Sequence, residues 1–326
     1  MFSYAIRRLL ISIPILVAAT FIVFVIVSLS GDPLSELKHR NPPVPQHVIE
    51  LEEERLHLDE PLLERYWIWV SGVAQGDFGP SVRSNLDIGT EIADRFVITM
   101  RLIGAAMLIA LVLAVLAGVV SAVKQYSSVD YTFTFTGFLF LSMPSFWLAI
   151  LLKQAGISFN RAVDEQVLYT IGNESVYLQG GTWAHITDIL GHMVLPTISL
   201  ALISFAAWSR FQRSSMLEVL NSDYVRLARA KGLSRRQVTV KHALRTALIP
   251  LTTVTALDLG SIISGAVITE TVFQWHGMGD FLLTSIRRED VFAVEAWLLV
   301  SAAVIIAFNL VADLLYAVLD PRIRYD

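Results

Sequence analysis

The sequence predicts an all-α membrane protein with six transmembrane helices, on three observations. Of its 326 residues, 54% are hydrophobic and only 17% charged. The apolar residues gather into six blocks, each long enough for the roughly 20 helical residues that cross a bilayer. The basic residues concentrate in alternate connecting segments, as they do in multi-pass proteins.

The first three blocks, Leu9 to Gly31, Leu102 to Val123 and Tyr131 to Leu152, contain no charged residue. The next three each hold a single ionisable group: His192 in Ile189 to Ser209, Asp258 in Thr246 to Thr269, and Glu295 in Val291 to Ala312. The first block also imitates a secretory signal, because Arg7 and Arg8 precede it and Ser28-Leu29-Ser30 has a small-x-small pattern. Its apolar core exceeds the 7–15 residues of such signals, so it reads as a retained helix. The chain has no cysteine, which excludes disulfides and thiolate metal sites.

The net charge of −4 conceals an asymmetry between loops. Arg7 and Arg8 place the N-terminus inside by the positive-inside rule. Residues 32–101 then lie outside, with 13 acidic and 7 basic side chains. Lys124 to Asp130 returns inside, and Lys153 to Asp188 lies outside with 4 acidic and 2 basic residues. The segment Arg210 to Arg245 carries 9 basic residues against Glu218 and Asp223, so it faces the cytoplasm. Glu270 to Asp290 is outside, and the tail with Arg322 and Arg324 is inside.

The first external loop is too long for a bare connector. It opens Asn41-Pro42-Pro43-Val44-Pro45, turns helical and acidic at Val48, and carries Trp67, Trp69, Val70 and Phe78. The organisation expected is therefore a tail and first span over 1–31, an external subdomain over 32–101, and a core of five spans over 102–326.

Within that core, Tyr224 to Arg245 holds seven Lys or Arg and no acid. From Met216, Leu217, Leu220, Tyr224 and Leu227 recur at helical spacing. Gly232 is the residue type favoured just past a helix end. Ser234 and Gln237 then fit a capping box that opens a second helix. That helix carries Val240, Ala243, Leu244, Ala247 and Leu248 on one stripe, before Pro250. Residues 216–247 therefore read as helix, glycine turn, helix. A purely topological loop against anionic lipid needs no such turn, and Ala228, Ala230 and Gly232 make a slim end suited to another protein's groove.

This stretch resembles the cytoplasmic coupling motif of ATP-binding-cassette importer permeases of the oligopeptide, dipeptide and nickel family. Tyr4, Arg7, Arg8, Leu9 and Leu10 are similar to that family's N-terminus, and Gly31-Asp32-Pro33 to the end of its first helix. Leu58-Asp59-Glu60-Pro61-Leu62 and Gly76-Asp77-Phe78-Gly79 resemble its external subdomain. Glu270-Thr271-Val272-Phe273 with Gly277-Met278-Gly279 resembles its outer loop, and Leu319 to Tyr325 its C-terminus. The first permease subunit of the oligopeptide system is the nearest in kind. Two positions depart: Arg226-Leu227-Ala228 stands where the general importer motif begins Glu-Ala-Ala, and His276 stands where proline is commoner.

The resemblance implies a type I importer permease fold, with Arg226, Leu227, Ala228, Arg229, Ala230, Lys231, Gly232, Leu233 and Ser234 coupling the chain to separate ATPases. It implies a homologous second permease, two ATPase subunits, and an external substrate-binding protein docking near Phe273, Gly277, Met278 and Gly279. Membrane lipid is the remaining partner, and no nucleic acid is expected. The phosphate-loop pattern G-x-x-x-x-G-K-[ST] is absent from the sequence. ATP and magnesium therefore belong to the partner subunits, and no cofactor is expected here. The cargo implied is a peptide, with nickel chelates or haem-like ligands carried by related permeases.

Ionisable groups inside a span cost several kcal/mol and face a cavity or a partner. Asp258 lies mid-span, and Asn309 and Asp313 lie near the inner end of the last span. These three line the translocation path or pair helices. A proton-coupled secondary transporter using Asp258 is the competing reading. A membrane hydrolase or metalloenzyme using His192 is disfavoured by the lack of H-E-x-x-H and G-x-S-x-G. Pro144 and Pro196 are expected to kink spans three and four. Trp147, Trp183, Trp208, Trp275 and Trp297 fit interfacial anchoring.

Overall fold

Helices account for all the regular structure among the described residues of the computed structural model. It describes the backbone of residues 2–83 and 86–319, and side chains within these except at 2–6, 8, 9, 36, 261 and 312–319. The C-terminal resemblance and Arg322 and Arg324 lie outside the described residues, as do the side chains of Tyr4, Arg8 and Leu9. The described residues form two units, one of 100–275 with 307–319 and one of 2–99 with 276–306.

Among the described residues, four helices are long and apolar enough to cross a membrane, and two bent pairs bring the number to six if each pair is one span. The second unit begins with α1 (Phe2–Ser30). It continues through α2 (Ser35–Lys38), α3 (Gln46–Arg55) and α4 (Leu62–Val73). Next, α5 (Ile88–Val123) starts well before the apolar run at Leu102. Backbone hydrogen bonding does not require apolar side chains, and this start is amphipathic. Asp87 accepts from the Thr90 N–H at 2.7 Å, Ile88 and Ile92 are buried, and Glu91 pairs with Arg95. Tyr66 and Trp69 of α4 pack with Phe24 of α1, and the Tyr66 hydroxyl donates to the Val17 carbonyl at 2.9 Å.

Pro144 ends a helix rather than kinking one. The chain bends by 106° between α6 (Ser128–Ser142) and α7 (Ser145–Val163). Met143 is extended, the conformation favoured before proline. Pro196, by contrast, sits within the unbroken α8 (Thr182–Leu220). This helix is the centre of the first unit and packs against α6, α7 and two helices described below. Gly118 allows its close approach to α5, since an added Cβ would lie 2.7 Å from the Gln212 Cβ.

After α8 come α9 (Asp223–Ala230), α10 (Arg235–Gln237) and a π-helical turn over Val238–Ala243. The chain continues as α11 (Leu244–Leu257) and α12 (Leu259–Phe273), bent by 59° at Asp258. In the second unit, α13 (Met278–Arg287) precedes α14 (Val291–Leu319), which ends in the first unit. Asp290 caps α14 and accepts the Ser81 hydroxyl at 2.5 Å. Burial pushes its carboxyl pKa up against these hydrogen bonds. Most of residues 32–101 fall in the unit that 2–99 form with 276–306.

Trp147 and Trp183 are exposed, as interfacial anchors would be, but Trp208 and Trp275 are fully buried. The Trp208 indole donates to Asp258, and the Arg101 guanidinium lies 5.4 Å over the Trp275 ring. Protein contacts take the place of lipid at both.

Candidate functional site

The basic loop is held by its glycine turn. Gly232 has φ +78°, a left-handed conformation that costs glycine least. The Gly232 N–H donates to Arg229 O at 3.0 Å and the Leu233 N–H to Ala228 O at 3.4 Å, the paired bonds of a Schellman helix end. Ser234 then opens α10, with its hydroxyl accepting from the Gln237 N–H and the Gln237 side chain accepting from the Ser234 N–H at 3.1 Å.

The faces of these helices differ from the stripes expected above. Val225 and Ala228 are buried, whereas Tyr224 and Leu227 are exposed, Leu227 at 56%. The cause is the break at Asn221 and Ser222, which separates α9 from α8 and resets the helical phase. The second stripe is Val238, Ala243, Ala247 and Leu251, and Val240 is exposed. The five-residue step from Val238 to Ala243 is a π-turn, and four-residue α spacing resumes after it.

Those inward residues bury the loop against the bundle. Ala122 of α5 and Met216 of α8 form one cluster with Val225, Ala228, Val238, Ala243 and Ala247. The alanines let the helices approach closely. Arg235 donates to the Val123 carbonyl at the end of α5 at 3.0 Å. An ion pair that sequence reading missed reinforces this end of the unit. Arg213 of α8 donates two hydrogen bonds to Asp130 of α6, at 2.7 and 2.8 Å, and the Ser121 hydroxyl of α5 also donates to Asp130. Asp130 precedes the third apolar run and Arg213 follows the fourth, so antiparallel spans bring them to one side, and that was the available signal.

The outward side of the loop presents Arg226, Leu227, Arg229, Ala230, Lys231, Leu233 and Ser234, all exposed. Arg226 pairs locally with Asp223. Behind this basic face, with its exposed apolar side chains, the packed cluster joins residues of α5, α8 and α11.

The other predicted residues are not gathered here. Asp258 is half-buried at the bend between α11 and α12 and accepts from Trp208 Nε1 at 2.7 Å. Asn309 is half-buried on α14, and the Asp313 side chain lies outside the described residues. Phe273 is buried, and its carbonyl accepts from the Gly172 N–H. Separately, Gly277 caps α13, where Met278 and Gly279 are buried and the Met278 N–H donates to Thr99 Oγ1 at 2.8 Å. The Phe273 and Met278 side chains are thus packed within the chain. His192 is buried, stacked on Tyr169 at 4.0 Å and bonded to the Asp188 carbonyl. Among the described residues, no group of three or more His, Asp and Glu side chains is placed to hold a metal ion.

These features define a multi-pass α-helical membrane subunit with a rigidly backed helical loop between two of its spans. Residues 110–325 match the family of binding-protein-dependent transport system inner membrane components. The chain belongs to that family. It is 40% identical over 324 residues, covering 99% of both chains, to the oligopeptide transport system permease protein OppB of Mycobacterium tuberculosis. It is 38% identical to the dipeptide transport system permease protein DppB of Alkalihalophilus pseudofirmus, over the whole of both chains. Over 338 residues it is 36% identical to DppB of Escherichia coli, covering 100% of this chain and 99% of the relative. The chain is thus the inner membrane component of such a system and not its ATPase, and membership implies ATPase and binding-protein partners.

Proposed function

We propose that this chain is the first permease subunit of an ATP-driven peptide importer, with both termini in the cytoplasm. The observation that carries the mechanism is the 216–247 loop, packed on its inward side and exposed on its basic side. It pairs with a homologous second permease, and two ATPases grip one such loop on each. ATP binds one arrangement of the ATPases more tightly and so shifts the population of the membrane subunits toward it. An external binding protein delivers cargo to the opposite face. A peptide cargo is supported by the full-length similarity to oligopeptide and dipeptide permeases.

Asp258 lines the path or pairs helices, and its hydrogen bond from the Trp208 indole favours pairing. Asn309 and Asp313 on α14 likewise line the path or pair helices.

Reconstitution of the whole assembly in liposomes tests this reading. Uptake of a labelled oligopeptide is expected to require ATP and the binding protein and to survive collapse of the proton gradient. Uptake driven by a pH gradient without ATPases would overturn it. Orientation is read by single cysteines, which report cleanly in a chain with none of its own. A cysteine at exposed Gln46 reacts with an impermeant reagent from outside, and one at exposed Ser234 does not. Labelling at Ser234 in intact cells would reverse the topology.

A further inference from the structure

The unit formed by 2–99 and 276–306 contains an open cavity of about 610 Å³. Four arginines are among the residues that line it, Arg40, Arg83, Arg287 and Arg288, and all four are exposed. None of them makes an ion pair or side-chain hydrogen bond among the described residues. Two acids also border the cavity, and neither forms an ion pair with these arginines. Glu52 is bonded to Arg55 at 2.7 Å. The Glu289 carboxylate lies against Gly31, where an added Cβ would stand 2.3 Å from it, and its Oε2 is buried without a hydrogen-bond partner.

Position along the chain supplies the second observation. Pro33 and Leu34 line the cavity just after α1 ends at Ser30. Arg287 and Arg288 line it just before α14 begins at Val291. Some of its lining residues thus follow one candidate span and precede another within a few positions, where a chain leaving the bilayer meets its headgroup region. In the orientation proposed above this is the outer face, where the positive-inside rule disfavours arginine beside a span. Uncompensated arginines there call for a function other than orientation.

We infer that this cavity binds the phosphate of an anionic phospholipid headgroup in the outer leaflet. The planar fork of a guanidinium matches phosphate oxygens with two hydrogen bonds. On the helix that precedes Pro33 and Leu34, Ile22, Ile26 and Leu29 are exposed apolar side chains. Assignment to the outer leaflet rests on the proposed orientation, whereas binding itself does not.

The test uses the purified transporter in neutral detergent, with retained lipid counted by native mass spectrometry. Phosphatidylglycerol is expected to be retained over phosphatidylcholine. Arg287→Gln with Arg288→Gln is expected to weaken phosphatidylglycerol binding about 25-fold, roughly fivefold for each arginine near the headgroups, and to leave phosphatidylcholine unchanged. Arg40→Gln with Arg83→Gln serves as an independent variant further from the spans, with the same expectation. Retention unchanged in either folded double variant, or equal retention of the two lipids, would overturn the site. Displacement of phosphatidylglycerol by millimolar inorganic phosphate would show a free-anion site and overturn the lipid assignment. Cysteine labelling reports the orientation separately, so loss of that reading leaves the binding result intact.

Discussion

Arg213 and Asp130 join α8 to the start of α6 through two hydrogen bonds, at 2.7 and 2.8 Å, in a nearly water-free setting at Asp130. The planar guanidinium satisfies both carboxylate oxygens together, a geometry that lysine cannot reproduce. The pair lies beside the cluster that backs the basic loop, and Ser121 ties α5 into the same carboxylate.

Removal of one partner leaves a buried charge without its counter-ion, which costs about 3–5 kcal/mol. Arg213→Ala is therefore expected to lower the thermal midpoint of the detergent-solubilised assembly by several degrees and to reduce its yield. Arg213→Gln with Asp130→Asn is expected to recover part of the loss, because the charge disappears with its partner. A thermal unfolding scan of the three proteins checks this, and an unchanged midpoint in Arg213→Ala would contradict it.

Gly232→Val places a β-branched residue at φ +78°, at a strain of about 1–3 kcal/mol. The space around Gly232 is open, so the effect is one of backbone conformation and not of a clash. Membrane insertion is expected to survive while ATPase association or ATP-coupled uptake falls. A loop that serves only to set topology predicts normal uptake, since no charge has changed.

Leu227 is exposed on α9 and contributes nothing to the packed cluster. Leu227→Asp is thus expected to leave the unfolding free energy within about 0.5 kcal/mol of the parent. It places an acid within the basic face and is expected to weaken co-purification of the ATPase at least tenfold. Full ATPase recovery would remove Leu227 from the interface.

Asp258→Asn retains an oxygen that accepts from the Trp208 indole but cannot ionise. Most ATP-driven peptide uptake is expected to remain, with a shift in substrate preference as the largest effect. A proton-coupled carrier predicts abolished accumulation instead. Uptake by proteoliposomes at fixed ATP, with and without a pH gradient, separates the two.

The sequence determined the properties that depend on composition and on neighbouring residues. Apolar run length fixes which segments fit a bilayer, and the Schellman end at Gly232 and the Ser234 capping box are closed by residues within a few positions. Tertiary structure decided what periodicity could not. The break at Asn221 and the π-turn over Val238–Ala243 rotated both stripes, turning Val225 inward and Leu227 outward. A periodic pattern assumes an uninterrupted helix, and one extra or missing residue moves every later side chain by about 100°. Pro144 was legible as an interruption, but its 106° bend depends on the packing of α6 and α7 against α8. The Arg213–Asp130 pair spans 83 residues, and the arginines of the open cavity come from segments as distant as Arg40 and Arg288. Only folding brings such groups together, because their interaction depends on separation in space and leaves no mark in local sequence.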